Sequence, residues 1–573
     1  MKILVNHLGY ESAAPKSAVL EGLQPAGDGS GRATFRLIDA ATGRDAFAAP
    51  SGRTGQVQRW KDRQFSRLDF SQFNRPGSWL IRAEAPGGSV DSAAFEIGEH
   101  CLPRGTLSDI LCYFKSQRAA GRIDAADRAV PFYGGRKGTV DAHGGWYDAS
   151  GDQGKYLSHL SYANTMNPQQ APIVVWCLLE GLERLAATDS RLAAALEARI
   201  LEEALHGADF LVRMQDPQGY FYTTVFDVWS HAPEQRMICS FSTQKGILSA
   251  ACRAGFRQGG GAAIAALARM STRRLSGEHS PAQYLAAAEA GFRHLQAHSL
   301  EYLPDGRENI IDDYCALLAA CELAAAAGSR EYSEAAEARA ARLTARLAED
   351  ARFSGWWRAD DHGEQPFFHA AEAGLPVLSL IRFLQAVPGS SHAAKAREAI
   401  RASLAFELAV TENAFNPFGY ARQYCRPTGG DKRPSFFIPH ENPSGYWWQG
   451  ENARIASLAS AARSACGLPD VEEAGMVPAL KGYAADQLNW ILGCNPYDLC
   501  MLHGKGRGNP EYEWGWFNAP GGIVNGITSG FSDEQDIDFL PDDAGRDPMH
   551  RWRWSEQWIP HAAWFFLAAC LPA

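Results

Sequence analysis

Two aspartates in one glycine-rich loop are the strongest candidates for chemistry in this 573-residue chain. Asp148 and Asp152 are four positions apart in the segment HGGWYDASGDQGKY. Close carboxylates repel each other, so one of them can be poised as a general base that activates a water molecule. The glycines let the backbone approach a ligand closely, and Trp146 and Tyr147 can stack on a sugar ring. The alternative for Asp152 is a cap on a following helix.

A glutamate near the C-terminus can supply the opposite function. Glu556 opens an apolar helical segment and stands among Trp552, Trp554 and Trp558. A carboxyl group surrounded by indoles is desolvated, which raises its pKa and keeps a proton available for a leaving group. The competing interpretation is a glutamate that interacts favourably with a helix N-terminus.

Other chemistries have less support. The chain has no GxSxG segment, which argues against a serine hydrolase, and no CxxC pair, which argues against a thiolate zinc site. His294 and His298 have helical spacing but lack the HExxH pattern of a metal site. We predict no metal site and no required cofactor. The acidic stretch 532–538 can host a structural calcium ion, but solvated acids are the favoured interpretation there.

Composition excludes several classes of partner. The chain carries 65 acidic and 55 basic side chains, a net charge of −10, and has no basic block. We therefore expect neither nucleic acid nor an anionic membrane as a partner. The scattered cysteines fit free thiols in a reducing compartment, and the segment MKILVNHLGYESAAPK lacks the apolar core of a signal peptide. These features predict a cytoplasmic protein and leave its oligomeric state open.

The elements that position these residues change in type near residue 98. Before it, short extended segments alternate with Gly/Pro turns, as in a small β-sandwich. After it, Ala/Leu-rich helical patterns dominate, most clearly over Leu192–Met214. The helical segments begin near residues 104, 171, 242, 262, 281, 309, 331, 367, 392, 449, 473 and 556. Because strands and helices do not alternate, we expect a closed toroid or a solenoid of helices.

Several ordered motifs resemble glycoside hydrolase family 9. GGWYDASGDQGKY is similar to that family's segment GG-x-Y-D-A-G-D-x-x-K-[FY], and ADFLVRMQDPQGYFY is similar to A-D-Y-L-L-K-x-Q-D-x-x-G-x-F-Y. NWILGCNP resembles Y-I-L-G-x-N-P, and the tail around Glu556 resembles the segment that bears the family's acid. The N-terminal VNHLGYESAAPK resembles the start of the immunoglobulin-like domain that precedes many members.

The resemblance implies an immunoglobulin-like β-sandwich over residues 1–98 and an (α/α)6-barrel catalytic domain over residues 99–573. It also implies hydrolysis of a β-glycosidic bond with inversion. By position, Asp152 would be the general base on water, Asp148 would orient that water, and Glu556 would be the general acid. Inversion requires roughly 6.5–9.5 Å between the acid and base carboxyls, because the water lies between them.

Two departures from the cellulase pattern bear on the substrate. The aspartates are separated by Ala-Ser-Gly rather than Ala-Gly, and MLHGKGRGNPEYEWGW stands where cellulases of the family usually carry His-His-Arg. These features resemble the branch that releases glucosamine from the non-reducing end of chitosan oligosaccharides, an exo-β-D-glucosaminidase. The alternatives are a β-1,4-glucanase of the same family and, less favoured, an inactive carbohydrate-binding protein.

An amine substrate would need an additional carboxylate near the first sugar subsite. The candidates for that carboxylate are Glu451, Glu511 and Glu513, each of which could instead be an ordinary loop or helix acid. Trp447, Trp448 and Trp554 are further candidates for sugar binding.

Overall fold

The computed structural model describes residues 1–23, 33–85, 88–159, 165–242, 246–363, 365–445, 448–512 and 517–573. The N-terminal unit is built of strands that alternate buried apolar and outward polar residues, as Phe35, Arg36 and Leu37 do. Its strands in the described residues are β1 (Lys2–Leu4), β2 (Tyr10–Glu11), β3 (Ser17–Glu21), β4 (Thr34–Asp39), β5 (Asp45–Pro50), β6 (Gly55–Gln56), β7 (Gln64–Asp69), β8 (Gly77–Ala85), β9 (Gly88–Asp91) and β10 (Phe95–Gly98).

These strands form two sheets packed face to face. One sheet has the order β1-β3-β7-β6, and the other has the order β2-β10-β8-β4-β5, with β9 paired to β8. The inward-facing residues form a core of their own, which includes Phe35, Leu68 and Trp79. The unit is therefore a β-sandwich. Strand β10 ends at Gly98, and the first long helix begins at Cys101.

Helices dominate the rest of the chain. Those of the described residues are α1 (Cys101–Gln117), α2 (Gly121–Ala126), α3 (Ala171–Thr188), α4 (Ser190–Arg213), α5 (Gly261–Ser271), α6 (Pro281–Tyr302), α7 (Ile310–Ala327), α8 (Arg330–Thr344), α9 (Leu375–Ala386), α10 (Ala393–Glu412), α11 (Asn452–Ala465), α12 (Pro469–Glu473), α13 (Val477–Ile491), α14 (Pro548–Ser555) and α15 (Ile559–Cys570). Helix α4 confirms the predicted segment Leu192–Met214 to within two residues at its start. The Asp189 side chain caps it by accepting the N–H of Leu192 at 3.1 Å.

Alternate helices form a closed inner ring. Helices α3, α5, α7, α9, α11 and α15 pack in that order, and α15 packs back on α3. Each inner helix pairs with an outer one: α4, α6, α8, α10, α13 and α1, respectively. The inner helices α3, α7 and α15 are buried on nearly all sides, as a helix that is apolar all round must be. The architecture is the expected (α/α)6 barrel behind an immunoglobulin-like domain.

Short strands occur in the loops at one end of the barrel. They are β11 (Val130–Pro131), β12 (Thr139–Val140), β13 (Lys155–Tyr156), β14 (Phe221–Tyr222), β15 (Thr224–Phe226), β16 (Met237–Ser242), β17 (Ile247–Ser249), β18 (Arg253–Ala254), β19 (Leu347–Glu349), β20 (Ser354–Trp357), β21 (Gln423–Cys425), β22 (Arg433–Ser435), β23 (Thr528–Ser529) and β24 (Ile537–Asp538). Strands β13, β15, β16 and β17 form one antiparallel sheet. This sheet begins three residues after Asp152 and holds the end of its loop.

Two predicted helix starts are wrong. The segment near residue 242 is strand β16, whose sequence MICSFS favours an extended chain through its β-branched and aromatic residues. The helix expected near residue 367 begins at Leu375 instead. Its first turn holds Pro376, which fits a helix start because proline has no N–H to satisfy there.

The two domains are joined by a buried tryptophan. Trp60 of the β-sandwich is fully buried against Phe436 and Trp490 of the barrel domain, with ring centroids 4.7 and 6.0 Å away. Aromatic side chains bury large apolar areas, so this contact fixes the sandwich firmly on the barrel.

The acidic stretch 532–538 faces cations of the β-sandwich. Lys61 Nζ lies 2.6 Å from Asp538 Oδ1, and Arg59 lies 2.9 Å from Asp533 Oδ2. Protein cations therefore neutralise acids that the sequence offered as a calcium site. Among the described residues, no helix is both long and apolar enough to cross a lipid bilayer.

Candidate active site

The aspartate loop and the C-terminal segment pair along their backbones. Ser150 N donates to the carbonyl of Gln557 at 2.9 Å, and Gln557 N donates to Ser150 Oγ at 3.0 Å. Ile559 N donates to the carbonyl of Asp148 at 3.1 Å. The start of inner helix α15 is thereby joined to the loop that holds both aspartates. Residues some four hundred positions apart in sequence lie side by side.

Glu556 and the aspartate loop meet at Gly151. A Cβ atom added to Gly151 would lie 2.8 Å from Glu556 Oε1 and 2.6 Å from Tyr512 Cε1. The carboxyl group of Glu556 therefore rests on the residue directly before Asp152. Glu556 lies between α14 and α15, so the prediction that it opens the last helix is wrong; α15 begins three residues later.

Asp152 is held by three hydrogen-bond donors. Its Oδ1 accepts the N–H of Gly154 at 2.7 Å, and its Oδ2 accepts the Tyr156 hydroxyl at 2.8 Å and Trp229 Nε1 at 3.1 Å. The side chain keeps access to solvent, because Asp152 is 7% exposed. Burial and the charge of Asp148 raise the pKa of Asp152 to about 6. No helix follows it, so the capping interpretation is wrong: residues 155 and 156 form strand β13.

Asp148 is more deeply enclosed than Asp152. Trp558 Nε1 donates to both of its carboxylate oxygens, at 3.2 and 3.0 Å, and His159 Nε2 lies 3.2 Å from Oδ2. Gln170 donates a further hydrogen bond to Oδ1. Burial raises the pKa of Asp148 as well, while His159 opposes that rise. Because residues of three separate segments contact this carboxylate, its position relative to Asp152 is fixed.

A single peptide group connects Asp152 to a buried arginine. The N–H of Gly154 donates to Asp152 Oδ1, and the carbonyl on the other side of the same peptide, that of Gln153, accepts from Arg236 Nη1 at 3.0 Å. A guanidinium at the carbonyl oxygen polarises the peptide and strengthens its N–H as a donor to an anion. Arg236 also forms a buried ion pair with Asp127. This arrangement favours the ionised form of Asp152.

Two family models match the chain. Residues 104–513 match the model "Glycosyl hydrolase family 9", and residues 1–87 match "Cellulase N-terminal ig-like domain". The chain belongs to glycoside hydrolase family 9. A member of this family hydrolyses O-glycosyl bonds, and inversion at the anomeric carbon is typical of it.

Solved structures share the fold of this family 9 hydrolase. A metagenome-derived family 9 endoglucanase is 20% identical, with a TM-score of 0.66, and the match covers 99% of this chain and 98% of that one. The family 9 endoglucanase J30 is 19% identical, with a TM-score of 0.65 and coverage of 98% and 99%. An endoglucanase from the termite Nasutitermes takasagoensis is 15% identical, with a TM-score of 0.51 and coverage of 82% and 98%. No curated protein matches the chain.

Two of the predicted sugar-stacking tryptophans are buried in this family 9 hydrolase. Trp146 has no exposed surface and donates from Nε1 to Glu203 Oε2 at 3.3 Å. Trp554 also has no exposed surface. Neither ring can stack on a substrate, so both predictions are wrong. Tyr147 is half-buried, and its hydroxyl accepts the N–H of Ala120 at 3.2 Å, at the junction of α1 and α2.

Glu451 is not available to bind an amine. It is 2% exposed, and its Oε1 accepts the N–H of Ile438 at 2.6 Å. Its Oε2 accepts Gln423 Nε2 at 3.0 Å, and Arg454 pairs with the same oxygen. Every oxygen of this carboxylate is occupied inside the protein, so the prediction that Glu451 recognises substrate is wrong. Its function is to neutralise the buried guanidinium of Arg454.

The remaining candidates for substrate binding differ in their exposure to solvent. The side chain of Glu511 is 70% exposed, with His503 Nε2 3.4 Å away. Trp448 is half-buried, and both the His440 ring and the Arg553 guanidinium lie 4.0 Å from its ring centroid. These two residues stay predictions. Trp447 and Glu513 lie outside the described residues.

Sequence reasoning missed several residues that contact the acids or their loop. Gln170 and Trp229 donate to the aspartates, Arg236 holds the loop backbone, and Tyr512 lies against Gly151. They come from three separate loops, so no local spacing connects them to Asp148 or Asp152. The connections between α4 and α5 and between α13 and α14 are long, and long loops in a compact domain usually carry function.

The substitution Gly151→Ala is expected to lower kcat by about 100-fold. The new methyl group would displace the Glu556 carboxyl, and a misplacement of about 1 Å at a reacting group costs on the order of 100-fold in rate. The matched control is Gly482→Ala in α13, where an added Cβ meets no heavy atom of the described residues within 4 Å. Steady-state kinetics and thermal unfolding of both variants check this. Equal kcat in Gly151→Ala and the natural protein would contradict the packing of Glu556 on Gly151.

Proposed function

We propose that this family 9 hydrolase cleaves β-1,4-linked oligosaccharides with inversion, with Asp152 as the general base and Glu556 as the general acid. The observation that carries the proposal is the packing of the Glu556 carboxyl group on Gly151, the residue directly before Asp152. Inversion would place the sugar and the attacking water molecule between the carboxyl groups of Glu556 and Asp152. Asp148 holds the other end of the loop in place.

In the proposed reaction, the carboxyl proton of Glu556 passes to the glycosidic oxygen as the bond to the anomeric carbon breaks. Asp152 takes a proton from the attacking water, whose oxygen bonds to the opposite face of the same carbon. The products are a sugar with inverted anomeric configuration and a free hydroxyl on the leaving sugar. Asp152 gains a proton and Glu556 loses one, and exchange with solvent restores both.

Two sugars compete as the substrate. The endoglucanases of similar fold support β-1,4-glucan oligomers, which we propose as the first substrate class. Chitosan oligosaccharides, cleaved by exo action to release glucosamine, are the second proposal. The Asp-Ala-Ser-Gly-Asp spacing supports it, but one of the three acids suggested for the amine, Glu451, is fully paired inside the protein. A cytoplasmic location would suit small oligomers and stays a proposal.

Product analysis on paired substrates tests the proposal. Cellotetraose and the fully deacetylated chitosan tetramer are incubated separately with the protein, and the anomer is assigned by NMR at early time. Cellobiose or glucose from the first substrate would support a glucanase, whereas glucosamine alone from the second would support the glucosaminidase. An early β-anomer would contradict inversion. Saturable binding of both without any product would identify a carbohydrate-binding protein.

We expect the pH dependence of kcat/KM to reflect the ionisation of Asp152. Asp152 must be ionised to accept a proton, and its pKa is raised to about 6. We therefore expect kcat/KM to fall about tenfold per pH unit below pH 6, because the protonated fraction then rises tenfold per unit. The measurement is kcat/KM against pH from 4 to 8. An acidic limb near pH 4, the ordinary range of an exposed aspartate, would contradict this environment of Asp152.

A further inference from the structure

The loop between β15 and β16 carries a tryptophan that contacts the proposed base. Trp229 Nε1 donates to Asp152 Oδ2 at 3.1 Å, and that oxygen also accepts the Tyr156 hydroxyl. Among the described residues, the other oxygen, Oδ1, accepts only the N–H of Gly154. A carboxylate oxygen has two lone-pair positions. Oδ2 is therefore saturated, and Oδ1 keeps a lone pair for the proton of water.

The backbone around this tryptophan has an unusual conformation. Val228, Trp229 and His231 have φ values of 57°, 56° and 56°. Left-handed backbone is disfavoured for residues other than glycine, and most of all for a β-branched residue such as valine. Such conformations persist only where the surrounding structure imposes them, and they are concentrated at functional sites. The packing around this loop therefore imposes the conformation that holds the indole.

Aromatic packing fixes one part of the indole and leaves the rest open. Phe226 and Phe241 meet the Trp229 ring edge-on, with centroids 5.0 and 6.0 Å away. A Cβ added to Gly246 would lie 2.9 Å from Trp229 Cζ3, so glycine is required for this close approach. Trp229 is nevertheless 39% exposed, although it touches a carboxylate that is almost completely buried. Trp229 therefore has solvent-accessible surface while its Nε1 contacts Asp152.

We propose that Trp229 is a positioning and substrate-binding residue with two functions. Its N–H holds Asp152 Oδ2, so that Oδ1 is the atom that takes the proton of the attacking water. Its exposed ring surface stacks on the sugar whose anomeric carbon is attacked, because indoles offer a rigid apolar face to a pyranose ring. The inference rests on Asp152 being the general base of the proposed function.

The charged and titratable groups around Asp152 come from several elements. Asp148 and His159 act on it through space, Tyr156 donates from β13, and Glu556 approaches from the C-terminal segment. The Trp229 N–H is a neutral donor that stabilises the ionised carboxylate, so its removal raises the pKa of the base. None of the other groups changes in a variant that alters only the indole.

The test compares Trp229→Phe with Trp229→Ala. The phenylalanine variant keeps an aromatic surface but loses the N–H, so its acidic limb of kcat/KM is expected to move up by about 0.5–1 pH unit, the value of one hydrogen bond. Its KM should stay within about twofold. The alanine variant should show the same shift and, in addition, a KM raised about tenfold through loss of stacking. Tyr133→Ala, at a residue that is 40% exposed, is the matched control.

The outcomes separate this inference from the proposed function. An unmoved acidic limb in Trp229→Phe, or an unmoved KM in Trp229→Ala, would overturn the inference, including where thermal unfolding shows that the variant is less stable. If Asp152→Asn retains full activity, the proposed base is wrong, whatever the tryptophan variants do. If Asp152→Asn is inactive and the acidic limb of Trp229→Phe does not move, only the inference about Trp229 fails.

Discussion

Glu556→Gln is expected to lower kcat on oligosaccharides by at least about 1000-fold. Glutamine keeps the size of the side chain and its position on Gly151, but it has no proton of suitable acidity to give to the leaving oxygen. A positioned general acid or base contributes on the order of 100- to 10,000-fold, and a sugar is a poor leaving group that needs the full contribution. Binding of the oligosaccharide should change little, because the variant remains isosteric.

The leaving group distinguishes a lost acid from a damaged site. An aryl glycoside with a strongly acidic phenol as its leaving group needs no proton, so Glu556→Gln should hydrolyse it within about tenfold of the natural rate. Glu473→Gln, at an exposed residue of α12, is the control and should have no effect. An equal loss on both substrate types would show that Glu556 does not act as the acid.

Asp152→Asn is also expected to abolish nearly all activity, with kcat lowered by about 1000-fold. The amide cannot accept the proton of water, and its NH2 group would face either the N–H of Gly154 or the Tyr156 and Trp229 donors. In contrast to the acid variant, this one should be equally inactive on the activated aryl glycoside, because the attack of water needs the base whatever group leaves.

Azide provides an independent check on the base. In Asp152→Ala, an added azide ion can attack the anomeric carbon without deprotonation, so it should restore turnover of the aryl glycoside and give an α-glycosyl azide. Asp543→Asn, at an exposed position, is the matched control. Full activity of Asp152→Asn, or a β-glycosyl azide from Asp152→Ala, would contradict the assignment of Asp152.

The sequence predicted the barrel, and it predicted that Asp148, Asp152 and Glu556 belong to one site, because both have local signatures. Asp148, Asp152 and Glu556 stand in motifs of characteristic residue order, and helix α4 has a clear apolar periodicity ended by Gln-Asp-Pro. The wrong predictions concern the direction in which a side chain points. Nothing local distinguishes a tryptophan that faces the core, as Trp146 does, from one that faces a cleft, because an irregular loop has no fixed periodicity of side chains.

The buried ion pair of Glu451 has a signature in the sequence. Glu451 lies three residues before Arg454, a spacing that favours an ion pair at a helix start, and the structure contains that pair. Trp229 is the opposite case. Its contact with Asp152 depends on the pairing of β13 with β15 and on left-handed residues in the following turn. The sequence around position 229 predicts neither the strand pairing nor the left-handed residues.

Helix α15 is the last helix of the inner ring to be synthesised. Until this helix has been made, α3 and α11 lack their common neighbour, and their apolar faces remain uncovered. Glu556 directly precedes α15, so the proposed acid is synthesised just before the barrel can close. Ribosome-bound chains of this protein should therefore expose these apolar faces and bind chaperones. Premature termination upstream of α15 should yield aggregates rather than a partly active hydrolase.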